Sequence, residues 1–483
     1  MTSLFLEAVP DCPGCRERDQ KYLTLAEQFK ELQARYEKLE HQVNQLLRHR
    51  FGKRSEKQRS SSLSSVNTLA AQGKAKNANG RKALPKDLPR DNITYELPAQ
   101  DQCCEYCGHQ LCQMGEEVSE QLDYIPARLR VRRHVRLKYG CKHCGLTLRI
   151  ADKPEQPIAK GLATSGLLAH ILVSKYQDHL PLHRQEQIFA RQGIDLVRST
   201  LGDWIAECAK LCAPLITALQ RELLNKKRIH TDDTPVPVQL KSNPGKTHQG
   251  RLWVYLGCTE QSPTVVLYDY TPSRSQTGPL EILKHYQGFL QADAYSGYDK
   301  LFVSGKIIEA GCWAHVRRKF YEIAVSTHSE IANTALAYIQ QLYEREAKLK
   351  DLSSEQRQVA RQTQAKPILE AFKCYLEQLQ TEVLPKSPLA GAIAYTLKLW
   401  TALTVYVDHG FVEIDNNRAE RAMKVVVLGR KNWLFAGSHQ GAKHAAVIYS
   451  LIETCKQNNV EPYAYLKDVL ARLPSHPINR IKE

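Results

Sequence analysis

The most regular hydrophobic pattern in the chain is a seven-residue repeat near its start. The repeat consists of Leu25, Leu32, Leu39 and Leu46, with Tyr22, Phe29, Tyr36 and Val43 three positions before each. Apolar residues with this spacing form the seam of a coiled coil, and Glu, Gln, Lys and Arg fill the other faces. The repeat predicts a self-associating helix, although a leucine-faced helix buried in a globular core has the same spacing.

A polar region separates this repeat from the rest of the chain. The repeat ends in the basic segment RHRFGKRSEK, and the segment after it, QRSSSLSSVNTLAAQGKAKNANG, has too few apolar residues to bury a core. We therefore expect residues 1–57 to form a coiled coil with a basic end and residues 58–83 to be a disordered linker. The prolines of ALPKDLPRDNITYELP then predict an extended lead-in to the next region.

Residues 154–225 have a helical pattern that is interrupted at Gly193. The apolar positions on the two sides of the break are Ile188, Phe189, Leu201, Trp204 and Ile205. Ser199 or Thr200 is the expected N-cap of the second helix. A helix, a glycine-containing turn and a second helix are typical of a DNA-reading helix-turn-helix, and packed helical hairpins share this outline. The expected DNA contacts here are the arginines that flank the turn, Arg191 and Arg198.

From residue 226 the pattern changes to short runs of β-branched and aromatic residues. The runs are KRIHTDDTPVPVQL, GRLWVYLG and TVVLYDY, then the helix-like TGPLEILKHY, then GFLQADAYSG and KIIEAGC. Three hairpin-like strands, a helix and further strands predict an α/β layer with a mixed sheet. Residues of about 321–408 are largely helical and interrupt this pattern, so we interpret 226–455 as one domain with a helical insertion, followed by a tail at 456–483.

Length and charge indicate the kind of protein and of partner. A chain of 483 residues predicts roughly three folded units. The net charge of +16 favours a polyanionic partner, because Lys and Arg gain affinity by displacing counterions from nucleic-acid phosphates. The start lacks a basic leader, and no apolar run nears the ~20 residues that span a bilayer. We expect a cytoplasmic protein that binds DNA and no membrane.

Two cysteine pairs predict a metal site within residues 84–153. Cys104 and Cys107, and later Cys141 and Cys144, each form a Cys-x-x-Cys pair followed by glycine. In a reducing compartment such pairs point to structural zinc held by four thiolates, although reduced cysteines packed as small apolar residues are the alternative. A weaker pair, Cys12 and Cys15, would require a zinc ion shared between two chains.

Between the zinc pairs, the segment RLRVRRHVRLKYG alternates basic and apolar residues. A strand with this alternation would turn one charged side toward phosphates, and an ordinary solvated face is the alternative. The expected DNA contacts on this strand are Arg132 and Arg136.

Acidic residues at three places are candidates for divalent-metal chemistry on phosphodiesters, which needs a few converging carboxylates. Asp293 follows an apolar strand, where an acid is costly unless it binds something. Asp232 and Asp233 lie in the first strand, although an Asx turn is the alternative there. In VEIDNNRAERAMK, Asn417 and Glu420 match a capping box, so composition leaves a metal ligand and a helix cap both open for Glu420.

Two further segments combine basic and aromatic residues. In GCWAHVRRKF, Arg317 and Arg318 open a helix where backbone amides also suit a phosphate, while Cys312 and His315 could form half of a metal site or pack in the core. In LGRKNWLFAGS the expected contacts with a distorted DNA end are Arg430, Lys431 and Trp433, with core packing as the alternative for the tryptophan.

The assembled motifs resemble a bacterial insertion-sequence transposase of the sixty-six family. The resemblance runs in order from about residue 17 to about residue 472, through FGKRSEK, LDYIPARLRVRRHVRLKYGC, DHLPLHRQEQIFARQGI, TDDTP, ADAYSGY, CWAHVRRKF, DNNRAERAMK and NWLFAGS. It implies a multidomain α/β protein with an RNase H-like catalytic domain and an Asp-Asp-Glu triad. Motif by motif, the triad falls on Asp232, Asp293 and Glu420. The family usually has Glu where this chain has Asp233.

The resemblance also implies a reaction and partners. We expect hydrolysis at a transposon end with two Mg²⁺ ions, or Mn²⁺ in their place, followed by attack of the freed 3′ hydroxyl on target DNA. The partners would be double-stranded DNA at both the transposon ends and the target, a second copy or a higher oligomer, and small accessory proteins of the same element. The alternatives are a catalytically inactive, zinc-containing DNA-binding regulator derived from a transposase, and a host nuclease with the same fold.

Overall fold

The computed structural model describes residues 13–51, 91, 121, 129–140, 148–240, 245–259 and 262–481. The four predicted zinc ligands, the linker at 58–83 and most of residues 84–128 lie outside the described residues. The strand and helix bounds below refer to the described residues alone.

A five-stranded mixed sheet forms the centre of the larger unit. The described strands are β1 (Lys138–Gly140), β2 (Leu148–Ile150), β3 (Arg228–Gln239), β4 (Thr247–Thr259), β5 (Ser262–Thr271), β6 (Gly288–Gln291) and β7 (Ile307–Ala310). Strands β1 and β2 form a small antiparallel pair, and the large sheet has the order β5-β4-β3-β6-β7. Strands β3, β4 and β5 are antiparallel neighbours, whereas β6 and β7 run parallel to β3. The predicted mixed sheet is confirmed.

Helices account for most of the remaining described chain. They are α1 (Pro13–Phe51), α2 (Ser165–Tyr176), α3 (Leu182–Arg191), α4 (Arg198–Leu211), α5 (Ala213–Leu224), α6 (Thr277–Leu283), α7 (Asp299–Phe302), α8 (Trp313–Thr327), α9 (Glu330–Lys348), α10 (Ser354–Gln364), α11 (Lys366–Glu382), α12 (Pro388–Lys398), α13 (Trp400–Asp408), α14 (Asn417–Trp433), α15 (His439–Gln457) and α16 (Pro462–Arg472). Helical structure thus occupies 313–408 and begins before the expected insertion boundary.

The two faces of the sheet belong to different hydrophobic cores. On one face, Val236, Val254 and Tyr268 pack with residues of α2, α4, α14, α15 and α16. On the other face, Ile229, Trp253 and others pack with α6 and the segment around α7. Since successive residues of a strand point to opposite faces, neighbouring residues of β3 enter different environments.

The helix predicted from the heptad repeat is present as α1. One side of α1 forms hydrogen bonds with α8. His41 Nδ1 lies 2.6 Å from the Ser326 hydroxyl, and Asn44 donates to the Ser326 carbonyl at 2.8 Å. Gln45 donates to Glu322 at 3.0 Å. The repeat itself lies on exposed positions, with Leu25 63% and Leu32 65% exposed. Pairing of this helix with a second copy stays a prediction.

Two local predictions were wrong. Residues 129–137 form no strand, because only residues 138–140 find a pairing partner, and Val131 is 93% exposed beside its charged neighbours. Neither Ser199 nor Thr200 caps α4, which begins at Arg198. Glu186 of α3 accepts the Arg198 backbone N–H at 3.2 Å, so a side chain of the preceding helix replaces the cap. The predicted break at Gly193 is present between α3 and α4, and this glycine has a φ of 78°.

A buried arginine holds the helical insertion together. Arg361 of α10 is 1% exposed and donates to both carboxylate oxygens of Glu346 at 2.9 and 2.7 Å. It also donates to carbonyl oxygens after α13, including that of Val412 at 2.9 Å. No single described helix is long and apolar enough to cross a membrane; α12 and α13 pass that test only as a pair bent by 47°. Their apolar side chains Ile393 and Leu403 are buried in the insertion core.

The close approach of α10 to the segment after α13 gives a test of this packing. A Cβ added at Gly410 would lie 1.7 Å from the Ser354 carbonyl oxygen, whereas one added at Gly391 of α12 meets nothing within 4 Å. We expect Gly410→Ala to lower the free energy of unfolding by about 1–3 kcal/mol or more, because the backbone must shift. Gly391→Ala should raise it by about 0.5–1 kcal/mol, because alanine favours the helix. Urea denaturation measures the free energy of unfolding of both variants. An equal change in this free energy for the two substitutions would contradict this packing.

Candidate active site

The first candidate acid, Asp232, lies in the middle of the central strand. In β3 it faces the helix α14, since His230 and Thr234 on the same face bond to Asn416 and Arg430. Its Oδ1 accepts the backbone N–H of Asp233 at 2.8 Å. Asp232 is therefore held rigidly on a sheet face that looks toward α14.

The neighbouring acid, Asp233, points to the opposite face and is neutralised there. Its side chain is 2% exposed. Arg251 donates to Oδ2 at 2.9 Å, and Arg274 donates to Oδ1 with two nitrogens at 3.0 and 2.8 Å. A carboxylate so fully bonded to guanidinium groups is a structural partner, which supports Asp232 as the member of the pair that is available to bind a ligand.

The second candidate, Asp293, comes two residues after the end of β6. Strand β6 lies beside β3, with Gln291 opposite His230, so Asp293 emerges next to Asp232. The backbone turns sharply here, with a φ of 62° at Ala294, and Asp293 Oδ1 accepts the Tyr295 N–H at 3.2 Å. Its side chain is 21% exposed, with Oδ2 at 3.6 Å from Arg274.

The third candidate, Glu420, lies in the first turn of α14. The capping box is not formed, because the N-cap is Asn416 and no side chain caps this helix. The Asn416 side chain is instead fully buried against β3, where it contacts His230 Nδ1 at 3.0 Å and donates to the Thr231 carbonyl at 2.7 Å. Asp415 accepts the Asn417 N–H at 3.1 Å and shapes the turn. These contacts direct Glu420 toward Asp232.

The three carboxylates affect one another through space. Burial, together with the negative charges of Asp293 and Glu420, raises the pKa of Asp232 to about 7. Glu420 Oε1 is buried and has no hydrogen-bond partner among the described residues. No three His, Cys, Asp or Glu side chains in the described ranges are close enough to enclose an ion. The arrangement is an open cluster of acidic oxygens with unbalanced negative charge.

Glu413, the remaining acid of the VEIDNNRAERAMK segment, has a structural role. It contacts Arg418 Nε at 2.5 Å and Arg228 Nη2 at 3.2 Å. Arg228 is buried and also donates to the Phe411 carbonyl. The ion pair therefore fastens the segment before α14 to the start of β3.

Two nitrogen-bearing side chains from the start of α8 approach Glu420. His315 Nε2 and Arg318 Nη2 each lie 3.9 Å from its carboxylate. His315 Nδ1 is buried without a hydrogen-bond partner in the described part of the chain, and burial lowers the pKa of this histidine despite the nearby Glu420 charge. Arg317 is half-buried and lies over the Tyr321 ring. Cys312 is buried and accepts the Asn416 N–H, so it packs in the protein.

The basic segment at the end of α14 is partly structural. Arg430 donates to Thr234 Oγ1 at 3.3 Å and to the Pro235 carbonyl, which joins α14 to β3. Trp433 is half-buried and packs against the main core, which favours the packing alternative. Lys431 is exposed. Of the other expected DNA contacts, the exposed ones are Arg132, Arg136, Arg191, Arg198 and Arg318.

Sequence reasoning missed two residues of this site. Arg274 lies in the turn after β5, where the sequence has no recognisable pattern. It contacts both Asp233 and Asp293. Asn416 occupies the N-cap position of α14, but its side chain bonds to a strand 185 residues away in sequence. No local signal distinguishes either residue, because their partners are distant along the chain.

Comparison with known proteins identifies the chain. Residues 160–444 match the model described as Transposase IS66 family, and residues 101–145 match the zinc-finger binding domain of transposase IS66. Residues 450–483 match the IS66 C-terminal element, and 38–93 match a model described as Transposase C of IS166 homeodomain. These matches define a transposase with a zinc finger and a DNA-binding region. More narrowly, the chain belongs to the IS66 transposase family.

Relatives from Sinorhizobium fredii extend over most of the chain. The chain is 38% identical to uncharacterized protein y4jD over 404 residues, which are 81% of this chain and 78% of that protein. It is 34% identical to uncharacterized protein y4hP over 424 residues, 83% of this chain and 76% of that protein. The names of these relatives state no activity.

The contacts of Asn416 give a test of how Glu420 is positioned. Removing its amide leaves His230 Nδ1 and the Thr231 carbonyl buried without their partner. We expect Asn416→Ala to cost about 1–3 kcal/mol of unfolding free energy. The control Asn333→Ala, at an exposed position of α9, should change it by less than about 0.5 kcal/mol. A thermal or urea unfolding measurement that gave equal values would refute this anchoring role.

Proposed function

We propose that this protein is an active DNA transposase that cleaves transposon ends and joins them to target DNA. The observation that carries the proposal is that the adjacent parallel strands β3 and β6 bring Asp232 and Asp293 side by side, with Glu420 of α14 near enough for its charge to act on Asp232. The strand order β5-β4-β3-β6-β7, in which β4 alone is antiparallel to the other four strands, supports an RNase H-like catalytic domain. On this fold the acids come from the central strand, the end of its parallel neighbour and a returning helix.

The donor set fits hard divalent cations such as Mg²⁺ or Mn²⁺. All three side chains offer carboxylate oxygens, which these ions prefer. The unpaired, buried Glu420 Oε1 and the raised pKa of Asp232 both indicate negative charge that a cation would offset. Asp232, Asp293 and Glu420 would hold the ions. When bound, a pair of such ions supplies activation of the nucleophile and stabilisation of the leaving oxygen.

The chain's own residues would bind and orient the DNA. In the first reaction a water oxygen bonds to phosphorus at the transposon end and the 3′ oxygen leaves as a hydroxyl. In the second, the oxygen of that 3′ hydroxyl bonds to a target phosphorus, and the 3′ oxygen of the target strand leaves as a hydroxyl. The start of α8 places Arg318 beside Glu420, where its exposed guanidinium can contact a phosphate. The exposed Arg191 and Arg198 around the turn between α3 and α4 are suited to hold the end sequence.

The remaining segments fit the handling of two DNA ends. We assign 1–57 to a dimerising coiled coil, 84–153 to the zinc-binding domain, 154–225 to DNA binding and 226–455 to catalysis, with 456–483 as a tail. Two ends must be joined in one complex, so a dimer or a higher oligomer is required. The exposed heptad residues of α1 would supply its pairing surface.

Substitution of the acids tests the catalytic proposal. Asp293→Asn and Glu420→Gln should each reduce Mg²⁺-dependent cleavage of end-bearing DNA by at least about 10³-fold, because each removes a charged ligand. DNA affinity, measured by fluorescence anisotropy, should be retained. Asp299→Asn, an exposed acid six residues after Asp293, is the matched control and should cleave normally. Cleavage by Asp293→Asn at the wild-type rate refutes the proposal; no cleavage even by the wild type favours an inactive DNA-binding regulator.

Metal content tests the zinc assignment. We expect about one zinc ion per chain, bound by Cys104, Cys107, Cys141 and Cys144. Cys104→Ser should lower the zinc content measured by elemental analysis, whereas Cys103→Ser should not, since only Cys104 has the three-residue offset to Cys107. Equal loss of zinc in both variants would show that the ligand assignment is wrong.

A further inference from the structure

Arg274 is the one described side chain that contacts both the acid behind the candidate active site and an acid within it. It donates two hydrogen bonds to Asp233 Oδ1, and its Nη2 lies 3.6 Å from Asp293 Oδ2. Asp233 and Asp232 point to opposite faces of the sheet, so the guanidinium reaches around the end of β6. It thereby links Asp233 on one face to the open cluster of Asp232, Asp293 and Glu420 on the other.

The position of Arg274 is fixed from three directions. Asp233 is 2% exposed and keeps the guanidinium in a forked arrangement that a lysine ammonium cannot reproduce. The Tyr295 ring lies under the guanidinium, 4.1 Å from the guanidinium carbon, and the Tyr295 hydroxyl donates to the Arg274 carbonyl. Tyr295 also donates its backbone N–H to Asp293 Oδ1, so both oxygens of Asp293 face this one assembly.

We propose that Arg274, anchored by Asp233, is a positioning residue that orients the Asp293 carboxylate for divalent-cation binding. This inference rests on the proposed function, since it takes Asp293 as a ligand. Partners behind a ligand set its orientation, and their loss typically lowers metal affinity by about 10–100-fold. Asp233 balances only one of the two positive charges of Arg251 and Arg274, so the contribution proposed for Arg274 is the geometry that it imposes on Asp293 and not the removal of charge.

Arg251 offers a matched control for this geometry. It bonds to the same buried acid, Asp233 Oδ2, at 2.9 Å, but no ion pair between Arg251 and Asp293 occurs in the described part of the chain. A change from arginine to lysine at either position keeps the charge; at 251 it alters a single bond to Asp233, and at 274 it also removes the paired donors. Only the change at 274 should affect Asp293.

The experiment measures Mn²⁺ binding to the full-length protein without DNA, by calorimetry or by the spin-resonance signal of free Mn²⁺. Binding that is lost in Asp293→Asn defines the site. Arg274→Lys should weaken this binding by about tenfold or more, whereas Arg251→Lys should leave it unchanged. The charge-neutral double variant Asp233→Asn with Arg274→Gln should also weaken it, and it keeps the test decisive if Arg274→Lys folds poorly.

The outcomes distinguish a failure of this inference from a failure of the proposed function on which it rests. If wild type and Asp293→Asn bind Mn²⁺ equally, the proposed catalytic site itself fails. If Asp293→Asn loses binding but Arg274→Lys and the double variant retain wild-type affinity, the catalytic site stands and the positioning role is overturned. Equal weakening by Arg251→Lys and Arg274→Lys would also overturn it, because the effect would then come from Asp233 and the stability of its surroundings.

Discussion

The candidate active site depends on one constraint: the chain must return to β3 after the long helical insertion. The return is made by Asn416, whose buried side chain contacts His230 and donates to the Thr231 carbonyl. The two ends of the insertion also meet here, since Trp313 donates its backbone N–H to the Ile414 carbonyl at 3.1 Å. A buried amide whose oxygen and nitrogen are both bonded tolerates little displacement, because each lost bond leaves a buried polar group unpaired. Glu420 lies one helical turn further on, so the contacts of Asn416 also fix its position.

Around this anchor the charges are arranged in two layers. The inner layer is acidic: burial, and after it the negative charges of Asp293 and Glu420, raises the pKa of Asp232. The outer layer consists of nitrogen donors: Arg274 lies 3.6 Å from Asp293, and the Arg318 guanidinium and the His315 imidazole each lie 3.9 Å from Glu420. At these separations the arginines attract the carboxylates, but they do not provide the carboxylate oxygens with all their hydrogen bonds. This arrangement suits a site that binds cations together with a polyanion.

Helix α8 connects this site to the N-terminal helix. Its first turn carries His315 and its last turn carries Ser326, which bonds to His41 and Asn44 of α1. The heptad residues of α1 remain exposed on positions away from these bonds. If α1 pairs with a second copy, the pairing surface and the acid cluster are linked by one continuous helix, whose rigidity limits independent movement of its ends.

Sequence patterns alone determined the element types and the chemistry-bearing residues. Strand periodicity predicted β3 to β7, the heptads predicted α1, and the acids at Asp232, Asp293 and Glu420 stood out by position and by family resemblance. The tertiary structure decided what is set by distant contacts. It separated Asp232 from Asp233 by strand face, and it replaced the expected capping box with an Asn416 bond to β3. It also supplied Arg274, which no local pattern marks. Local periodicity reports burial along one element, whereas the partner of a side chain is chosen only when elements far apart in sequence pack together.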